Sequence, residues 1–193
     1  MNRFKIISLI AGLAIVLALP AAATGGNALG HTIRFDVIQF AQDTILTGGT
    51  ALSRDAATGD TVLLTASGQA KPGQADAAGG GTFVHRHSTG AVVARGVWIA
   101  NSIASWTSAG GSIAGVGLTD GIGHIDATLS GVLLLNVTLM PDTGGSLPAV
   151  LGIHCNLPGS TDPTIEEGLS VDVASLHFVP VEEEGFTLFH DLR

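Results

Sequence analysis

Residues 124–140 read His124-Ile125-Asp126-Ala127-Thr128-Leu129-Ser130-Gly131-Val132-Leu133-Leu134-Leu135-Asn136-Val137-Thr138-Leu139-Met140. Every second residue from Ile125 to Leu139 is apolar, except for Gly131. The intervening positions are polar at both ends and apolar in the middle. A period of two over this length predicts one long strand with a face in a core. A glycine on the packing face predicts a bulge or a bend at Gly131.

The same alternation recurs on both sides of this stretch. Residues 32–39, 61–67, 82–87, 91–100, 102–107, 149–155, 169–178 and 186–190 all read as strands. With residues 124–140 the count is about nine, and no segment carries a convincing helical period. Ser88-Thr89-Gly90 reads as a short hairpin loop with glycine at a positive φ. Residues 68–81, 108–123, 141–148 and 157–167 are rich in glycine or proline and read as loops. The pattern predicts an all-β fold, an antiparallel β-barrel of about eight or nine strands, with a β-sandwich as the alternative.

The chain opens Met1-Asn2-Arg3-Phe4-Lys5, continues in an apolar run over residues 6–19, and reaches Pro20-Ala21-Ala22-Ala23. A basic start, a short apolar run and small residues at the end predict a signal peptide over residues 1–23. The run is shorter than the about 20 residues a membrane span needs. The expectation is a secreted or periplasmic protein with one all-β domain over residues 24–193. No integral membrane segment is expected once the signal is cleaved.

Sixteen acidic residues face eight basic ones, a formal net charge of −8, and Arg3 and Lys5 belong to the signal. That balance repels polyanions and excludes nucleic-acid binding as the expected role. One cysteine, Cys155, excludes an intrachain disulfide framework. It sits at the end of an apolar strand and reads as a buried, inert thiol. Neither a Gly-x-Ser-x-Gly elbow nor a phosphate loop is present. Tyrosine is absent, which removes most aromatic platforms for sugars. Trp98 and Trp106 read as core or cavity lining. Glu182-Glu183-Glu184 reads as a solvated turn.

All seven histidines lie beyond residue 23. His85 and His87 flank Arg86 on an expected strand, where i and i+2 share a face. Both imidazoles can therefore serve one metal, and imidazole suits Zn or Cu. Further ligands would come from neighbouring strands, with His124 and His154 the first candidates. His177, His190, Asp126 and Cys155 complete the set.

Residues 79–87 read Gly-x5-His-x-His and resemble the opening of the first cupin motif. The resemblance implies His85 and His87 as metal ligands inside a β-barrel. The chain departs from the family in lacking the glutamate that follows the motif, and the second motif has no counterpart. Residues 79–84, with Ala94-Arg95-Gly96-Val97-Trp98, are similar to the strand-and-glycine pattern of dirigent and allene oxide cyclase-like barrels. This implies a barrel and assigns no catalytic residue. The expected role is a module that binds a small, apolar ligand or serves structurally. The alternatives are a metal-binding protein built on His85 and His87, and an isomerase-like barrel acting on an apolar substrate. The sequence leaves open whether the protein is an enzyme.

Overall fold

The computed structural model describes residues 31–192, so the expected signal peptide lies outside the described residues. The strands are β1 (Ile33–Ala41), β2 (Thr44–Thr47), β3 (Ala51–Asp55), β4 (Thr61–Leu64), β5 (Ser67–Lys71), β6 (Asp76–Arg86) and β7 (Val92–Gly110). They continue with β8 (Thr119–Asp120), β9 (Thr128–Pro141), β10 (Leu147–Cys155), β11 (Gly168–Val173), β12 (Leu176–Pro180) and β13 (Phe186–Asp191). The only helical pieces among the described residues are single 3-10 turns at Pro72–Gln74 and Ile125–Ala127.

The fold is all-β, a sheet of 13 strands. Its pairings are antiparallel except that of β2 with β8. Three routes join β6 to β9. One runs directly through β7, one through β4, β3, β12, β11 and β10, and one through β5, β1 and β13. The two outer routes, with β6 and β9, form a ring of 10 strands that β7 spans.

The alternation sets this centre from Thr128 onward; the expected strand start at His124 is replaced by the 3-10 turn at Ile125–Ala127. Leu133, Leu135, Val137 and Leu139 are buried, as the period of two requires. Nearer the start of β9, burial reaches the polar face as well. Thr128 and Ser130 are buried there, and their hydroxyls bond Ile125 O (2.7 Å) and Leu157 N–H (2.8 Å). Gly131 is where Trp106 crosses the sheet. A Cβ there would lie 2.8 Å from Trp106 Cη2 and 2.4 Å from Thr107 O. The nearby irregularity falls on the partner strand, between Ser108 and Gly110 of β7. Trp98 is fully buried and its indole N–H donates to Thr65 O (2.9 Å).

Thirteen strands stand where about nine are expected. Residues 68–81 are not a loop. They form β5 and the first half of β6, paired over Ser67↔Gly80 to Lys71↔Asp76. Their glycines make room for the Phe35 ring. A Cβ would lie 2.5 Å from Phe35 Cζ at Gly68 and 2.9 Å at Gly79. Residues 169–178 are a hairpin, β11 and β12, that turns at Ala174 with φ of 52°. Residues 44–55 carry β2 and β3, which lack a strong alternation. Conversely, the two strands expected over 91–100 and 102–107 are one strand, β7 (Val92–Gly110), whose register shifts between Ala100 and Ser102 and between Ile103 and Ser105. The hairpin after β6 turns at Gly90, whose φ is +88°. Among the described residues, no helix is long and apolar enough to cross a membrane.

Candidate functional site

β6 carries His85 to the edge of the loop that precedes β4, and His87 follows just past the strand end. Both reach one carboxylate. His85 Nε2 lies 3.0 Å and His87 Nδ1 3.2 Å from Asp60 Oδ2. Ser88 N–H donates to the other oxygen (3.1 Å). Burial raises the Asp60 pKa, but the bonds from His85, His87 and Ser88 outweigh it and hold the carboxyl below its usual value. His85 also packs edge-on against Phe178, ring centroids 5.4 Å apart. Asp60 is held by its own turn. Asp55 accepts N–H bonds from Ala57 (3.0 Å) and Thr58 (2.8 Å), and Asp55 N–H donates to Asp60 O (2.9 Å).

The two expected metal ligands are thus brought together, on a carboxylate that the sequence did not single out. His124 and His154 do not join them. His124 is exposed ahead of the turn at Ile125–Ala127, beside exposed Asp126. His154 Nε2 bonds Ser170 Oγ (2.8 Å), and burial lowers its pKa. His177 pairs with Asp172, whose hydrogen bond and charge raise the imidazole pKa. His190 is fully buried, with Nε2 2.7 Å from Asp120 Oδ2. Among the described residues, no group of three or more His, Cys, Asp or Glu side chains is arranged to hold a metal ion.

A cleft of about 800 Å³ lies elsewhere, between the far ends of β1 and β12, the start of β13 and the loop from β10 to β11. Ile38, Ile45, Ile113, Leu118, Leu157 and Leu188 give it apolar walls. Phe40 and Phe186 also line it, exposed and packed edge-on with centroids 5.7 Å apart.

One wall carries Glu167, a residue to which the sequence reading gave no role. Its oxygens accept Asn156 N–H (2.6 Å) and Thr187 N–H (2.6 Å). Thr187 Oγ1 stands 2.9 Å from Glu167 Oε1 and 2.6 Å from His154 O. A hydroxyl has one proton, so it cannot donate to both. Burial raises the Glu167 pKa, opposed by these hydrogen bonds. Behind it, Cys155 is buried and its thiol donates to Thr187 O (3.3 Å). Burial pushes that thiol well above its ordinary pKa, as an inert cysteine requires. The doubled Glu166-Glu167 pair is the one sequence signal, and it reads equally well as a surface turn.

Comparison with known protein families, with curated proteins and with solved structures finds no match to this chain.

Proposed function

We propose that the chain is an exported antiparallel β-barrel that binds one small, largely apolar molecule in the cleft beside Glu167. The cleft carries this reading. Its volume of about 800 Å³ falls in the range of about 300–1,000 Å³ typical of small-ligand sites. Apolar walls with a few convergent polar groups are the usual composition of such sites. The ring of 10 strands favours a barrel over two separate sheets. The basic, apolar and small-residue segments of residues 1–23 support export. In this reading the Asp60, His85 and His87 cluster ties β6 to the loop before β4 and has no catalytic part.

The test uses Nile red, a neutral apolar dye, with mature protein from residue 24 onward. Saturable binding at one dye per chain is expected. Leu118→Trp, which places an indole into the cleft, should abolish it without shifting the thermal midpoint by more than a few degrees. Absence of saturable binding, or binding unchanged in Leu118→Trp, overturns the proposal.

A further inference from the structure

We infer that the ligand of the cleft carries a protonated amine beside its apolar body; the inference rests on the binding role proposed for the cleft. The charged side chains that line it are Glu166, Glu167 and Glu182, and no lysine, arginine or histidine is among the lining residues. Glu166 and Glu182 are exposed at the mouth, whereas Glu167 is set into the wall.

The Glu167 carboxylate is incompletely served by the protein. Its ion pairs would be with Lys, Arg or His, and none is formed among the described residues. Its two N–H donors, from Asn156 and Thr187, take one lone pair on each oxygen. When the Thr187 hydroxyl gives its proton to the nearer His154 O, each oxygen keeps an acceptor position free. Glu167 is half-buried, and a carboxylate drawn part-way out of water is less costly when it is paired. An ammonium offers three donors and a full charge, and so satisfies the free acceptor positions and the uncompensated charge together. A ligand carboxylate would meet three like charges. An alcohol would gain a hydrogen bond and no charge pairing.

The aromatic rim favours the same class. Phe40 and Phe186 are exposed among the lining residues, and aromatic rings attract a cation over their faces and cover an apolar tail.

The experiment compares phenylbutylamine, phenylbutanol and phenylbutyrate by titration calorimetry at neutral pH and low salt, on the mature chain. The amine should bind about tenfold or more tightly than the alcohol, and the carboxylate most weakly. Glu167→Gln should remove most of the amine's advantage over the alcohol. If Glu167→Gln fails to fold, Glu166→Gln with Glu182→Gln replaces it. That pair is exposed and should reduce amine binding several-fold, in a salt-dependent way. Equal binding of amine and alcohol, or a gap that these substitutions leave unchanged, overturns the amine inference while the cleft remains a ligand site. Binding of none of the three, together with a failed Nile red titration, overturns the cleft reading and this inference with it.

Discussion

Gly68→Ala distinguishes two opposed accounts of residues 68–81. In a flexible glycine-rich loop the substitution removes unfolded-state freedom and stabilises by about 0.4–1 kcal/mol. In the structure, Gly68 sits on β5 against β6 and under the Phe35 ring. The new methyl would lie 2.4 Å from Ala78 O, 2.5 Å from Phe35 Cζ and 2.7 Å from Gly79 Cα. Two of these three are backbone atoms of a paired strand and cannot rotate away. Overpacking costs about 1–3 kcal/mol, and the immovable contacts put this case near the upper end. Phe35 is fully buried, so Phe35→Ala should cost about 3–5 kcal/mol. For a chain of this size that is a fall in thermal midpoint of about 6–20 °C. The double variant should cost about 1 kcal/mol less than the two single losses together, because the clash with the ring disappears and that with Ala78 O stays. Urea unfolding followed through Trp98 and Trp106 fluorescence measures all three. A neutral or stabilising Gly68→Ala, or strict additivity with Phe35→Ala, would refute the packing of the ring on these glycines.

Other perturbations address other parts of the fold. Ser53 is fully buried and its hydroxyl donates to Leu169 O (2.6 Å), joining β3 to β11. Ser53→Ala leaves that carbonyl without this donor and should cost about 1–3 kcal/mol in the same urea assay. Asp60 has a depressed folded pKa. Its contribution is present above the usual aspartate value near 3.8 and is lost as pH falls through the lower folded value. Acid unfolding should therefore be less steep in Asp60→Asn, and an unchanged acid limb would remove the cluster's stabilising role. Cys155 should resist a thiol reagent in native protein and react once urea unfolds the chain. Rapid native labelling would contradict its burial.

What the sequence conveys depends on the range of the interaction responsible. The alternation from Leu133 to Leu139 is local, and it locates β9 and its buried face. The glycines of β5 and β6 read as loop because composition marks them as breakers. Their cause is an aromatic ring on β1, more than thirty residues upstream of Gly68, which pairing alone brings above them. The hairpin of β11 and β12 is hidden for a related reason. Its turn residue, Ala174, takes a positive φ that alanine does not advertise. His85 and His87 are legible as a pair from their spacing, although His87 lies past the end of β6 and the two meet on Asp60. Asp60 is not, since it reaches them from a different hairpin through a turn built on Asp55.

Glu167 shows most plainly why the candidate site is hard to read from sequence. β13 pairs with β9 only through Phe189↔Leu129 and His190↔Thr128, while β10 follows β9 from Leu139 down to Gly131. The start of β13 and the end of β10 therefore face each other with no strand ladder between them. Buried backbone groups in such a gap need other partners. Thr187 N–H finds Glu167, Thr187 O finds the Cys155 thiol, and His154 O finds the Thr187 hydroxyl. The same carboxylate that takes the place of a missing ladder bond also lines the cleft. Its half-buried place in the wall follows from the topology, and so does its uncompensated charge. A charged group placed this way has a structural duty that Glu167→Gln only partly preserves. For that reason the exposed pair, Glu166 and Glu182, supplies the cleaner measure of charge selectivity at the mouth.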